Sequence, residues 1–355
     1  MKKGRKISLK KIVAVVMALL VALGTIGLSA CGSVEAEKSD VEATCQFLYE
    51  TITEPAYGTV GGDWTLLNMK RAGFETTEEY DAYYLNTIET VLTENDGVLD
   101  PRKYTEYSRV ILSMAAMGED VTDVAGYNLL SYLMDYDAVC KQGISGPIWA
   151  LIAMDAVGVV FPQTEGEQAL TDESVDADTE KTPVITSREL IINDLLAREF
   201  ESGGWGYTKG EVDVDVTAMV ITALAPYYLG ENDCDVAVPQ EKIVAAVDRG
   251  LAVLSQIQLE DGSYENYGQP TAESCAQVVI ALSTFGIDSM EDERFIKNDK
   301  SVFEAMLDYK TGEGSFCHIK GDETNLIATD QVCSALIAYE RFMNGQRPLY
   351  DMFVK

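Results

Sequence analysis

The sequence has little histidine and no paired cysteine motif. Its only histidine is His318, so neither a zinc site built on several imidazoles nor a Ser-His-Asp triad is expected. None of the seven cysteines forms a C-x-x-C pair, which argues against zinc knuckles and thioredoxin-type motifs. Several cysteines after Cys31 lie in apolar helical runs, where thiols are expected to stay free and buried. Because a glycine-rich phosphate loop is also missing, the sequence predicts no metal and no cofactor.

Basic residues are scarce as well. The chain holds 27 Lys and Arg against 58 Asp and Glu, a net charge of −31, and six of the bases lie within residues 1–30. Beyond that segment 21 bases face 58 acids, a net charge of −37. Such a field repels nucleic acid and anionic lipid headgroups, so a nucleic-acid partner is not expected.

Residues 1–30 have the layout of an export signal. Six basic residues and no acid precede an apolar stretch over residues 12–28, which ends in Leu-Ser-Ala-Cys at Cys31. The stretch is shorter than the roughly 20 residues that span a bilayer comfortably. The four residues resemble the bacterial lipoprotein box, which implies lipidation of Cys31. We predict a signal peptide (1–30), a lipidated tether (31–40) and attachment to the extracytoplasmic face of the cell membrane; a secreted protein without lipid is the alternative.

One helical pattern recurs six times in the rest of the chain. A small or polar start leads into an apolar helical run and then, usually, a glycine or a short turn. The last apolar positions of the six copies are Met69, Met114, Met154, Leu224, Leu282 and Leu336. The steps between them, from 40 to 70 residues, are too irregular for a solenoid of identical units. Each step has room for one additional helix.

An amphipathic segment precedes each apolar run and supplies that helix. The candidates are residues 41–54, 77–93, 125–140, 187–200, 240–257 and 299–310. The runs themselves are apolar on nearly all sides, as expected of helices enclosed by others. Since no stretch shows sustained alternation, no sheet is predicted. Residues 162–183 are acidic without apolar periodicity and are predicted to form a mobile loop within a single domain over residues 41–355.

The turns before the later apolar runs carry a glycine-aromatic motif. It is seen at residues 203–207, 261–264 and 312–316. The segment over residues 256–264 resembles the Gln-x-x-x-Asp-Gly-Ser-aromatic turn of prenyltransferase and squalene-cyclase repeats, and the similarity extends over about 187–345 and more weakly over 41–160. The resemblance implies an all-α, α6/α6 toroid, with six inner and six outer helices around a central cavity. Six helical pairs also follow from the repeat count.

The sequence does not contain the complete catalytic motifs of that superfamily. Class II terpene cyclases use Asp-x-Asp-Asp followed by Thr-Ala, and residues 213–218 match except at the last acid, where Val216 stands. The alternative is that Asp213 and Asp215 cap the N-terminus of the following helix. The Asp-x-Cys segment of protein prenyltransferases and the Gly-Cys-Gly-Glu-Gln segment of thioester domains are both absent from the sequence.

The expected site is a pocket of aromatic and acidic side chains at one mouth of the ring. Aromatic candidates at the turns and at the starts of the inner helices are Trp64, Tyr107, Trp149, Trp205, Tyr207, Tyr264, Tyr267 and Phe316, and at least half are expected only to wedge the turns. The predicted ligand-binding residues are Trp205, Tyr207, Asp213, Asp215 and Glu273, and no catalytic residue is assigned.

Two functions remain open at this point. The first is a membrane-anchored module that binds a small molecule, an envelope polymer or a protein. The alternative is a terpenoid-cyclase-like or carbohydrate-active enzyme, because acids and aromatics at one mouth of a ring can act on sugars.

Overall fold

The computed structural model of the chain describes residues 38–158, 184–230 and 236–353. Twelve α-helices lie in these ranges: α1 (Asp40–Thr51), α2 (Asp63–Ala72), α3 (Glu78–Glu94), α4 (Thr105–Met117), α5 (Tyr136–Val139), α6 (Ser145–Ala156), α7 (Arg188–Ala197), α8 (Val214–Leu229), α9 (Gln240–Ile257), α10 (Ala272–Thr284), α11 (Val302–Leu307) and α12 (Leu326–Met343). The predicted signal peptide, Cys31 and the acidic loop lie outside the described residues. No helix in the described ranges is long and apolar enough to cross a membrane.

The even-numbered helices form a closed inner ring. Each of α2, α4, α6, α8 and α10 packs on the next in the series, and α12 packs back on α2. The odd-numbered helices precede them one by one along the chain, as the repeat count predicted. The α6/α6 toroid is therefore confirmed.

The inner and outer helices differ in how many of their faces are buried. In α8, residues on every side are buried, among them Val216, Val220 and Leu224. In α9 one face is buried, while Asp248 and Arg249 are exposed. Full burial of each large aliphatic side chain contributes about 1.5–3 kcal/mol, and the inner ring holds about half of the buried apolar residues, more than the outer helices do.

Two outer helices are shorter than their sequence pattern predicts. The segment 125–140 forms a 3₁₀ helix over Leu129–Met134 before α5. The segment 299–310 becomes helical only at Val302, because Ser301 and Glu304 form a capping box that fixes the first turn.

Three short hairpins correct the prediction that the chain contains no sheet. They pair β1 (Glu265–Asn266) with β2 (Gln269–Pro270), β3 (Ile296–Lys297) with β4 (Lys300–Ser301), and β5 (Lys310–Gly312) with β6 (Ser315–Phe316), all antiparallel. Strands of two or three residues are too short to show sustained alternation, so the sequence pattern could not reveal them.

A buried polar cluster joins the first inner helix to the last. Thr65 donates a hydrogen bond to Oδ2 of Asp330 at 2.9 Å, and Nδ2 of Asn68 donates to Oδ1 at 2.9 Å. The hydroxyl of Ser334 donates to Oδ1 of Asn68 at 2.7 Å. All four side chains are buried. We call these four residues the ring clasp, because they join α2 to α12 where the ring closes.

The five cysteines in the described ranges are free thiols, as predicted. Cys45 of α1 and Cys333 of α12 come closest, with their Sγ atoms 3.8 Å apart. A disulfide bond would need about 2.05 Å.

Candidate functional site at the mouth of the ring

A central cavity of about 380 Å³ lies at the N-terminal ends of the inner helices. All six inner helices contribute one side chain to it from an equivalent position, five residues before the last apolar position of each repeat. These side chains are Trp64, Arg109, Trp149, Met219, Gln277 and Gln331. Each stands within the first six residues of its helix. The repeat register therefore determines which residues face the cavity.

Aromatic rings form one wall of the cavity. The rings of Trp64 and Trp149 lie with their centroids 5.0 Å apart, and Tyr350 meets Trp149 edge-on at 5.8 Å. Tyr207 is 55% exposed, and its hydroxyl lies within hydrogen-bonding distance of Ser145, at 3.0 Å. Flat apolar faces beside hydrogen-bonding groups suit a ligand with both apolar and polar faces.

Asp215 lines this cavity with a carboxyl group whose two oxygens are held differently. Its Oδ2 accepts a hydrogen bond from Nδ2 of Asn266 at 2.8 Å. Its Oδ1 is buried, and none of the described residues meets the geometry of a hydrogen bond to it, although the hydroxyl of Ser274 lies near the carboxyl group. Burial raises the pKa of Asp215 to about 6; Asn266 and the hydroxyl of Ser274 oppose this shift, and the nearby carboxylates of Asp213 and Glu273 add to it.

Asp213 has a different position and role. Its Oδ1 accepts a hydrogen bond from the backbone N–H of Val216 at 2.9 Å, so it is the N-cap of α8. The expectation that both carboxylates cap this helix therefore holds for Asp213 alone. Asp215 stands in the first turn, but its side chain points to Asn266 and the cavity.

Asp330 is the second carboxyl group that lines the central cavity. Both of its oxygens accept hydrogen bonds within the ring clasp. Burial raises its pKa to about 7; the hydrogen bonds from Thr65 and Asn68 oppose this shift, and the charge of Asp63 adds to it. Asp330 is thus held more tightly than Asp215 and titrates in the same region of pH.

Arg109 is the only cation among the residues that line the central cavity. Its guanidinium forms an ion pair with Asp63 at 2.8 Å and a second one with Glu106. The hydroxyl of Tyr84 also donates to Asp63 at 2.6 Å. Two carboxylates therefore already neutralise the positive charge of Arg109.

A side cavity, also of about 380 Å³, lies next to the central one and shares Tyr207 with it. The loop before α8 forms one side and the β1–β2 hairpin the other. The two-residue turn of that hairpin is Tyr267-Gly268, and Tyr267 has the left-handed φ of +50° with 79% of the residue exposed. A left-handed tyrosine costs conformational energy, and such strain is concentrated at functional sites.

The structure separates the predicted site residues into two groups. Tyr207 lines both cavities, Asp215 the central one and Asp213 the side one. Glu273, in the first turn of α10, lies 2.8 Å from Nδ1 of His318 and lines neither cavity.

Trp205 does not fit its predicted role as a ligand-binding residue. It is fully buried, and its Nε1 donates to the backbone oxygen of Leu195 at 2.7 Å. A Cβ atom on Gly250 would come within 3.0 Å of its ring, so this glycine makes room for the tryptophan. Of the eight aromatic candidates, Tyr107, Trp205, Tyr264 and Phe316 are buried wedges, as expected of at least half of them.

Several site residues escaped the sequence prediction. Arg109, Gln277 and Gln331 could have been found from the repeat register, which gives one cavity position per copy. Asn266 and Tyr350 follow no repeat, so the sequence carries no signal for them. Within the described ranges, no group of three or more His, Cys, Asp and Glu side chains could hold a metal ion.

These features define an α6/α6 toroid with an aromatic and acidic cavity at one mouth. No protein-family model matches the sequence, and no curated protein matches it. Among solved structures, the unsaturated glucuronyl hydrolase of Bacillus sp. GL1, described as responsible for the degradation of glycosaminoglycan, is similar, with a TM-score of 0.50 and 14% identity over 88% of this chain and 97% of that chain. A UGL variant described with the sugar dGlcA-Glc-Rha-Glc matches with a TM-score of 0.54 and the same identity and coverage.

At this identity the likeness shows the fold alone. It supports the toroid that the sequence resemblance implied, and it does not extend to the prenyltransferase or squalene-cyclase family.

Proposed function

We propose that the protein is a carbohydrate-active hydrolase that binds a sugar chain in the central cavity and cleaves a glycosidic bond, with Asp215 as the proton donor. The observation that carries this proposal is that Asp215 lines an aromatic cavity while its buried Oδ1 makes no hydrogen bond of good geometry with the described residues. One similar solved structure is described as responsible for the degradation of glycosaminoglycan, and another is described with a sugar chain, so both support the proposal by analogy of fold.

The acidity of the site suits this reaction. A glycosidic oxygen needs a carboxylic acid that is still protonated near neutral pH, and burial gives Asp215 a pKa of about 6. Glycoside hydrolysis uses a second carboxylate as base or nucleophile. Asp330 lines the same cavity, but both of its oxygens accept hydrogen bonds in the ring clasp and its pKa of about 7 lies above that of Asp215, so Asp330 is not assigned as this second carboxylate. The rings of Trp64 and Trp149 offer a stacking surface for the sugar.

An assay of the wild-type domain on a panel of end-labelled oligosaccharides tests the proposal. We expect shorter labelled fragments to accumulate for at least one sugar class. Binding of a sugar without any cleavage would favour the binding module over the enzyme. Neither binding nor cleavage across neutral, acidic and amino sugars would refute both.

We also propose that the domain is anchored to the outer face of the cell membrane through a lipid on Cys31. The proposal rests on the basic and apolar leader and on the Leu-Ser-Ala-Cys sequence that ends it. Cys31→Ser removes the thiol that would carry the lipid, so the protein should move from the membrane pellet to the soluble fraction. Unchanged sedimentation with membranes would contradict the anchor.

A further inference from the structure

The side cavity combines acidic groups with exposed aromatic rings. Glu211, Asp213 and Glu265 contribute carboxylates, and its lining residues include no lysine, arginine or histidine. Tyr207 and Tyr267 flank it and are 55% and 79% exposed. Carboxylates beside open aromatic faces favour a cation, which gains both ion pairing and attraction to the rings.

The central cavity offers no compensating positive charge. Its one cation, Arg109, is already paired with Asp63 and Glu106. The N-termini of the inner helices carry roughly half a positive charge each. Asp215 and Glu273 in the first turns of α8 and α10 offset that charge at two of these helices. An anionic sugar would therefore meet three carboxylates in the side cavity and no free cation among the lining residues of the central one.

We infer that the substrate is a sugar chain whose amino groups are unacetylated and therefore carry positive charge. This inference rests on the proposed function and names its substrate class. Asp213, the N-cap of α8, lines the side cavity, and Asp215, two residues further along in the first turn, lines the central one. Tyr207 lines both cavities. The sugar unit that bears the ammonium group thus occupies the side cavity. It lies next to the sugar unit whose glycosidic oxygen Asp215 protonates.

A preference for ammonium-bearing sugars distinguishes this protein from the structures that share its fold. One of those is named for an unsaturated glucuronyl unit, which bears a carboxylate. A uronate in the side cavity would face Glu211, Asp213 and Glu265. Placing like charges against each other at a binding surface suppresses the wrong partner, so the acids exclude uronates as well as attract ammonium groups.

A matched substrate series tests the inference with the wild-type domain. Three oligosaccharides of equal length are compared at pH 6: glucosamine oligomers, their fully N-acetylated counterparts, and oligomers that end in an unsaturated uronate. We expect kcat/KM to be at least about tenfold higher for the glucosamine oligomers than for the acetylated ones, and this advantage to shrink as salt rises. The uronate oligomers should be the poorest substrates.

Variants that remove one carboxylate charge from the side cavity test whether this cavity binds the glucosamine oligomers. Glu211→Gln and Glu265→Gln should each raise KM for the glucosamine oligomers about threefold, with kcat nearly unchanged, because each removes one exposed ion pair. Glu313→Gln is the matched control. Glu313 is also exposed in a hairpin but lines neither cavity, so its KM should equal that of the wild type.

The outcomes distinguish this inference from the proposed function. Faster cleavage of acetylated or uronate oligomers, lost in Asp215→Asn, would overturn the amino-sugar assignment and leave the hydrolase in place. Cleavage of glucosamine oligomers with the same KM in all three glutamine variants would overturn the side cavity as their binding site. If the wild type cleaves none of the three, the amino-sugar assignment is wrong, and the wider oligosaccharide panel decides whether the hydrolase stands.

Discussion

Asp215→Asn is expected to lower kcat about 10²–10⁴-fold, the usual contribution of a positioned general acid. The amide keeps the size of the carboxyl group and can still accept the hydrogen bond from Asn266, but its N–H protons are not acidic enough to be transferred to a leaving oxygen. KM should change little, since sugar binding also depends on Trp64, Trp149 and Tyr207. Initial rates of oligosaccharide cleavage measure the loss.

The stability of the Asp215→Asn variant distinguishes the loss of the proton donor from damage to the fold. Because burial raises the pKa of Asp215 to about 6, the ionised carboxylate destabilises the folded chain above that pH. Asp215→Asn should therefore be at least as stable as the wild type at pH 8. Asp299→Asn is the control, since this aspartate is exposed in a hairpin turn at a φ of +62° that asparagine also adopts. An Asp215→Asn protein that unfolds at lower temperature, or cleaves as fast as the wild type, would contradict the assignment.

The pH dependence of the cleavage rate shows whether Asp215 donates or accepts a proton. An acid must be protonated to act, so the rate should fall as pH rises through about 6, the pKa of Asp215. The hydrogen bond from Asn266 lowers that pKa. Asn266→Ala should therefore move the falling limb to higher pH by about one unit. A rate that rises through the same range would mean that Asp215 acts as a base or nucleophile.

The sequence predicted the fold well because the inner helices repeat a strong apolar pattern. Six positions from Met69 to Leu336 fixed the number of helical pairs, and every one lies in an inner helix. The short outer elements were predicted less well. Local contacts, such as the capping box between Ser301 and Glu304, determine where those helices start, and periodicity does not record them.

The candidate site was predicted only in part, for a related reason. Tyr207 and Asp215 were found because the turn motif and the Asp-x-Asp sequence mark the start of α8. Trp205 was misassigned, because a motif does not tell whether an aromatic ring turns into the core or into the cavity. Asn266 reaches Asp215 across 51 residues of sequence, and such a contact leaves no local pattern.

The largest effect on stability is expected at the ring clasp. Asn68→Ala removes the amide that donates to Asp330 and accepts from Ser334. It leaves Oδ1 of Asp330 without its donor, and it leaves the hydroxyl of Ser334 with only a long hydrogen bond of 3.3 Å to the backbone oxygen of Asp330. We expect a cost of about 3 kcal/mol in the free energy of unfolding. Asn86→Ala makes the same change at an exposed position of α3, where it should cost nothing. Urea unfolding of the two variants and the wild type measures the difference.

The pH dependence of this loss shows whether the clasp acts through the charge of Asp330. The pKa of Asp330 is about 7 in the folded chain, above the roughly 3.9 of an unfolded aspartate. Its contribution to stability therefore rises as pH falls from about 7 to 4 and is lost as pH rises through 7. Because the amide of Asn68 stabilises the ionised form, Asn68→Ala should cost more at pH 8.5 than at pH 5. Asp330→Asn can keep the hydrogen bond from Asn68 without the charge, so its free energy of unfolding should vary less over this range than that of the wild type. An equal loss in Asn68→Ala at both pH values would show that only packing, and not the buried carboxylate, holds α2 against α12.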